Sequence, residues 1–307
     1  MKPTSSTVLV RLKRRAKGTG RTVAETIQYY AMERLLYRLG ESRHREHFVL
    51  KGAMMLRAWD EASARPTRDI DLLAFASNDL DSIRHILAEI CRMDVDDDAV
   101  SFDADSIQME LIKEFDDYQG ARAKFQARLE TAKIPMQLDI GFGDSVHPEP
   151  VWSYFPTILG SAPPRVRMYS RASVVSEKLH AMVKLGAINS RMKDYHDIWF
   201  LSMHGTFDSN ELSEAIGRTF RARKTAIPAR IDGLSDEFER YRAAMWDGFL
   251  RREPGLAKVE LSVVMDRLRT FLLPCLLAHP ASQTPPRTWD PTSGAWIPSQ
   301  EQTLIPR

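Results

Sequence analysis

The chain has 307 residues, 43 of them Lys or Arg and 41 Asp or Glu, for a net charge of +2 with histidine neutral. So even a balance sets up no overall field to hold the chain on a nucleic acid or a membrane. An apolar content of 43% and a mean hydropathy of −0.33 describe an ordinary globular protein, long enough for one large domain or two modest ones. Cys91 and Cys275 are too few for a disulfide scaffold or a thiolate zinc site. The longest apolar run, about eight residues from Phe271 to Ala278, contains Pro274 and spans no bilayer. Residues 11–17 are basic where a secretory leader would be apolar, so a cytoplasmic protein is expected.

In chain order, residues 1–47 are expected to be helical and locally basic. Thr22 followed by Glu25 has the form of a capping box, Ile27, Leu35, Leu36 and Leu39 follow near helical spacing, and Gly40 can end the run. The cluster Arg11 to Lys17 reads either as a solvated helix face or as a phosphate contact for RNA. A core region is expected over 48–172. Phe48 to Gly52 is a short strand and turn leading into a helix from Met54 to Trp59, and Asp69 to Phe75 is a strand. There Ile70, Leu72 and Ala74 point one way while Asp69 and Asp71 point the other. Residues 78–91 form an amphipathic helix with Asn78 as its expected cap. Residues 121–129 and 136–142 alternate as strands, and the second carries Asp139 on its polar face. From 173 to 279 the period is helical, with a break at Asn189 and Ser190. The proline-rich stretch 280–307 is expected as an extended tail.

Chemistry concentrates at three places. Asp69 and Asp71 share a strand face, where their charges repel and hard oxygen ligands suit magnesium or manganese. Asp139 supplies a third carboxylate on a second strand, and three such groups can hold two metal ions for an in-line transfer. Upstream, Lys51, Gly52 and Ala53 form a strand-turn-helix whose backbone N–H groups could cradle phosphate. Downstream, Glu177 and Lys178 precede Arg191, Asp194 and Asp197, which recur every three residues. These last groups read either as interhelical ion pairs or as a lysine neutralising triphosphate with an aspartate ordering it.

The segments Phe48 to Leu56, Arg65 to Leu73, Leu138 to Asp144, Glu177 to Met182 and Arg191 to Asp197 together resemble the AbiEii/AbiGii family of nucleotidyltransferase-like toxins, to which the mycobacterial MenT toxins are related. The resemblance spans residues 20 to 205 in the family's order. It implies an α+β fold, a DNA polymerase β-like nucleotidyltransferase core (a mixed sheet with flanking helices) joined to a helical C-terminal domain. It also implies that Asp69, Asp71 and Asp139 bind Mg2+ or Mn2+, and that Lys178 and Asp194 fill the family's later catalytic positions. Lys51, Gly52, Ala53, Arg68, Lys178 and Arg191 would meet the nucleotide. One departure stands out. The family's turn carries Thr or Ser after its glycine, whereas Ala53-Met54 has no hydroxyl, and Thr67 replaces it only if its loop folds back.

The expected activity is magnesium-dependent transfer of a nucleotide from a nucleoside triphosphate to an acceptor hydroxyl, foremost a tRNA 3′ end, within a toxin–antitoxin or abortive-infection system. The expected partners are the triphosphate, tRNA and an AbiEi-like antitoxin, with no membrane. Alternatives are a nucleotidyltransferase acting on a protein or small molecule, and a catalytically silent nucleotide- or RNA-binding regulator.

Overall fold

Helix α1 (Ser5–Thr19) is followed after a short turn by α2 (Val23–Glu41). The Thr22 side chain caps the Glu25 N–H while the Glu25 carboxylate reaches back to Thr22, the reciprocal box that the spacing predicts. The computed structural model describes residues 4–59, 65–75, 78–95, 98–113, 119–143, 146–253, 255–277 and 287–299. The chain divides into two units, residues 1–144 with 150–169 and residues 145–149 with 170–307, so both first helices belong with the core region that follows them.

The first unit is built on a seven-stranded mixed sheet. Its strands are β1 (Phe48–Lys51), β2 (Ile70–Ala74), β3 (Val100–Lys113), β4 (Gln119–Leu129), β5 (Ala132–Phe142), β6 (Val151–Tyr154) and β7 (Arg165–Met168). Their order is β3-β4-β5-β2-β1-β7-β6. β2 runs antiparallel to β1 and parallel to β5, which puts it inside the sheet. Helix α3 (Met54–Trp59) follows β1, and α4 (Leu80–Arg92) joins β2 to β3. Ile70, Leu72, Ala121, Ala123, Phe125, Leu138 and Ile140 are buried, as period-two alternation requires.

α2 is buried on nearly every side although it carries Glu33, Arg34 and Arg38. Each of these is paired, as a buried charge must be. Glu33 meets Arg34 at 2.9 Å and accepts the Ile158 N–H at 2.7 Å. Arg38 pairs with Asp98 and donates to the Val100 carbonyl at 3.0 Å.

Two details differ from the sequence reading. The cap of α4 is Asp79 rather than Asn78, because the Asp79 carboxylate accepts from Ser82 N–H at 2.8 Å. Strand β3 has no counterpart in the sequence reading. Its buried residues run Phe102, Ala104, then Ile107, and the shift in parity coincides with an irregularity in the β3–β4 register between Asp103 and Gln108.

The second unit is largely helical: α5 (Arg171–Leu185), α6 (Met192–His204), α7 (Ser209–Ala222), α8 (Asp236–Arg252) and α9 (Leu261–Leu277). A three-stranded sheet of β8 (Phe207–Asp208), β9 (Arg287–Asp290) and β10 (Ala295–Pro298) accompanies them. The expected extended tail is therefore a hairpin over 287–298, while 278–286 and 300–307 lie outside the described residues. Packing decides the outcome there: Trp289 is fully buried, donates to the Ser202 carbonyl at 2.7 Å and meets the Phe271 ring at 4.8 Å. Among the described residues, no helix is long and apolar enough to cross a membrane.

Candidate active site

The parallel register of β2 and β5 sets Asp71 directly beside Asp139. Asp69, expected as the first residue of the strand, lies instead in the bend one residue before β2 begins. Carboxylate oxygens of Asp69, Asp71 and Asp139 lie within 4.8 Å of one another, and all three side chains are half-buried. Pairing on the far sides completes a row across four strands. Arg122 of β4 is opposite Asp139, and Lys51 of β1 is opposite Asp71. Laterally paired residues share a sheet face, so the row reads cation, anion, anion, cation.

Each carboxylate is held by different means. Arg122 grips Asp139 bidentately, Nε to Oδ1 and Nη2 to Oδ2 both at 2.7 Å, and the Gln137 amide donates to Oδ1 at 3.3 Å. The hydrogen bond to Asp139 raises the pKa of Arg122, and the charges of Asp139, Glu110 and Asp69 add to it against partial burial. The Thr67 hydroxyl donates to Asp69 Oδ1, while the Thr67 N–H donates to the Tyr29 hydroxyl at 2.8 Å. The Thr67 hydroxyl thus orients a carboxylate of the cluster. Asp71 lies against Gly52, whose φ is +71°. A Cβ there would stand 1.9 Å from Asp71 Oδ2, so only glycine leaves the carboxylate its place.

These residues fit a divalent cation. Three hard oxygen donors converge, one in a cradle that any Cβ would fill, and their mutual repulsion is what a cation relieves. Of the other expected nucleotide contacts in this unit, Lys51 is buried with its ammonium 5.9 Å from the Tyr169 ring centre. Ala53 is buried, and Arg68 is exposed with its carbonyl accepting from Gln28 at 3.5 Å. Carbonyls of Gly52 and Ala53 accept from Met55 and Leu56 as α3 begins.

The second unit holds Lys178, Asp194 and Arg191 in a cluster of its own. Lys178 Nζ lies 2.8 Å from Asp194 Oδ1 and 2.7 Å from Asp197 Oδ2, and Arg191 Nε lies 2.7 Å from Asp194 Oδ2. Asp194 and Asp197 are 1% and 0% exposed, against 13% for Lys178. Burial pushes the Asp194 carboxyl upward, but Lys178 and Arg191 outweigh it and hold the group below the usual range. Neither cysteine is an alternative nucleophile, since burial pushes both thiols up to about 12.

A sequence model of a known family, described as nucleotidyl transferase AbiEii toxin of type IV toxin–antitoxin systems, matches residues 34–271. The chain belongs to the AbiEii family. The match takes in every strand of the seven-stranded sheet and the Lys178 cluster. No curated protein matches the chain in sequence. Among solved structures, JHP933 from Helicobacter pylori is similar at 11% identity, with 74% of this chain and 92% of that one covered and a TM-score of 0.40. Another solved structure from H. pylori, described as that of a nucleotidyltransferase, is similar at 13% identity, with 76% of this chain and 97% of that one covered and a TM-score of 0.38.

In this AbiEii chain, sequence reasoning named the carboxylates but not what holds them. Arg122 is read there only as one polar residue of an alternating strand, whereas Asp197 belongs to the group offered as interhelical ion pairs, which the Lys178 contact bears out. A pairing of the two strands assumed in advance could have drawn Arg122 out, because it falls opposite Asp139.

Proposed function

We propose that this AbiEii chain is a magnesium- or manganese-dependent nucleotidyltransferase with a polymerase β-like core, moving a nucleotide from a nucleoside triphosphate to an acceptor hydroxyl. The convergence of Asp69, Asp71 and Asp139 within 4.8 Å carries the reading. In the reaction the acceptor oxygen bonds to the α-phosphorus, the bond from that phosphorus to the β-phosphate bridge breaks, pyrophosphate leaves, and the acceptor's proton passes to solvent. A divalent cation, when bound, neutralises phosphate charge and acidifies the attacking hydroxyl.

The chain's own residues supply the frame. Asp69 and Asp71 hold the cation, with Asp139 as third ligand. Arg122 aims Asp139 and donates to both of its oxygens, which favours this ligand role over that of proton acceptor. Thr67 fixes the Asp69 carboxylate, and Lys51 balances Asp71 across the β1–β2 pair. Lys178 serves as a positive charge for the triphosphate, its ammonium fixed by Asp194 and Asp197. Arg191 keeps Asp194 ionised in that role.

For the acceptor we favour a tRNA 3′ end. Arg11, Lys13, Arg14, Arg15 and Lys17 are exposed on α1, a cationic face suited to phosphates. The test is incubation with total tRNA, Mg2+ and each α-labelled triphosphate, beside an Asp71→Asn control. Label in tRNA with the wild type alone is the expected result, and label surviving in the control would refute the metal assignment. The hydroxyl-less turn and the occupation of both Asp139 oxygens by Arg122 favour a second reading, a triphosphate-binding regulator without turnover. Magnesium-dependent triphosphate binding with no label on any acceptor would select it.

A further inference from the structure

Strand β6 closes one edge of the seven-stranded sheet, and Val151-Trp-Ser-Tyr154 is rich in the side chains that sheets usually cover. Covering is incomplete here. Tyr154 is 67% exposed and Phe75, just past the end of β2, 51%, while Trp152 is half-buried. Pairing sets these rings on one face. Trp152 lies opposite Arg167 and Tyr154 opposite Arg165, and Arg167 lies beside Val49, two residues from Lys51. Lys51 belongs to the row that contains Asp71, so the rings share a sheet face with the acidic cluster. Phe75 continues the alternation from Asp71 and Leu73, about 13 Å from Asp71 at roughly 3.3 Å per residue, and donates its N–H to the His47 carbonyl at 2.8 Å. Three arginines interleave with the rings. The guanidinium carbons of Arg165 and Arg45 stand 5.2 and 5.9 Å from the Trp152 ring centre, and that of Arg167 stands 5.5 Å from the centre of Phe75.

Charge selects the occupant. Among the described residues, neither Arg165 nor Arg167 is paired with a carboxylate, and Arg167 donates to the Glu46 carbonyl at 3.0 Å. Arg45 meets the Glu46 carboxylate only at 3.9 Å with both side chains exposed, a pair that contributes little. Such a cationic face is a local device in a chain whose net charge is only +2. An interface between proteins concentrates apolar surface at its centre and charge at its rim, whereas here guanidinium groups flank the rings themselves. Aromatic faces alternating with arginines suit a polyanion with unpaired bases. The bases stack on rings and guanidinium planes while the phosphates meet the charges, and a duplex offers no such bases.

We propose that the β6–β7 edge is a binding platform for a single-stranded segment of RNA. Bases stack on Tyr154 and Trp152, and Arg45, Arg165 and Arg167 meet the phosphates. The platform rests on the reading of an RNA acceptor given above, and it adds the surface that holds that acceptor on the face of the acidic row.

The test uses the full chain without divalent metal or triphosphate, so that binding is read independently of the acidic cluster. A short fluorescein-labelled oligoribonucleotide without self-complementarity is titrated by fluorescence anisotropy with wild type, Tyr154→Ala and Arg165→Gln. Tyr241→Ala is the control, because Tyr241 is a comparably exposed tyrosine of the second unit. Loss of one stacked base lowers affinity roughly 5- to 150-fold, and Tyr154→Ala should fall in that range. Arg165→Gln should bind more weakly and flatten the slope of log affinity against log salt by about 0.7, the share of one phosphate on a single strand. Tyr241→Ala should bind as wild type does, and the same RNA annealed to its complement should bind more weakly than the single strand. Tyr154 and Arg165 are both exposed, so their variants should keep the fold, which circular dichroism checks. Unchanged affinity in either variant, or equal affinity for duplex and single strand, would overturn the proposal. So would a wild type that self-associates in sedimentation beside a Tyr154→Ala that does not, with RNA binding the same in both; the face would then join two copies of the chain. Nucleotidyl transfer is scored separately: transfer with RNA binding indifferent to Tyr154 refutes the platform alone, and platform binding without transfer refutes the activity alone.

Discussion

Replacing Gly52 with alanine should damage the acidic cluster more than any other single methyl group in the first unit. Two costs add. At φ +71° a side chain meets the left-handed penalty, roughly 1–2 kcal/mol. The new Cβ would also stand 1.9 Å from Asp71 Oδ2, 2.5 Å from its Cγ and 2.6 Å from its Cβ, whereas ordinary contact begins at 3.4 Å. The carboxylate must therefore retreat by about 1.5 Å, the difference between 3.4 and 1.9 Å. Misplacement of a reacting group by roughly 1 Å can cost about 100-fold in rate. Gly160→Ala is the matched control, because Gly160 has φ +72° with nothing within 4 Å of its Cβ position. Both variants should lose a few degrees of melting temperature, at about 2–4 °C per kcal/mol for a unit of this size. Only Gly52→Ala should lose Mn2+ affinity, by tenfold or more in electron paramagnetic resonance titrations, together with nucleotidyl transfer. Equal Mn2+ affinity in Gly52→Ala and Gly160→Ala would refute the claim that Gly52 exists to seat Asp71.

Arg122→Met removes the two bonds that aim Asp139 at the other carboxylates. With a charged hydrogen bond contributing about 1.5–3 kcal/mol, Mn2+ affinity should fall roughly tenfold or more in electron paramagnetic resonance titrations, and wild-type affinity in the variant would refute the positioning role. Asp194 has a depressed pKa in the fold, so its contribution to stability is present above the ordinary 3.8 and is lost as pH falls through the lower folded value. Asp194→Asn should therefore melt earlier than wild type at neutral pH, with a loss on the order of 3 kcal/mol, and the gap should close in acid. Arg38→Met strands the buried carboxylate of Asp98, and chemical denaturation should register a loss of about 3–5 kcal/mol.

What the sequence showed depended on how far apart the deciding residues lie. β4 and β5 could be read because each alternates without interruption, and β2 because Ile70 and Leu72 flank Asp71 although Leu73 breaks the pattern, so Asp71 and Asp139 were placed on polar faces from their own neighbours alone. β3 could not, because its buried set changes parity between Ala104 and Ile107. The α4 cap was misplaced by one residue because Asn78 and Asp79 are equally good caps in isolation, and only the bond to Ser82 separates them. At the end of the chain, six prolines suggested no structure, while Trp289 folds the segment by finding a buried partner 87 residues away. The grip of Arg122 on Asp139 spans two strands, and the hold of Asp197 on Lys178 spans two helices. Such contacts are products of packing: the spacing of Lys178 and Asp197 suggested interhelical ion pairs, while nothing along β4 singled out Arg122 before the strands were paired.

The row from Arg122 through Asp139 and Asp71 to Lys51 has a consequence for how this protein can change. A slip of β5 by one position against β2 would bring Leu138 or Ile140 beside Asp71, and it would turn an apolar side chain to the polar face and Asp139 into the core. No intermediate shift exists, because strand pairing moves in whole residues. The spacing of the carboxylates and the burial of the sheet are thus a single choice of alignment. Mutations that keep this strand alignment keep Asp71 beside Asp139, so pressure on the sheet's stability also guards the pairing of the two carboxylates. The turn at Gly52 and the loop at Thr67 carry a separate constraint, because they set where Asp71 and Asp69 point once the alignment is fixed.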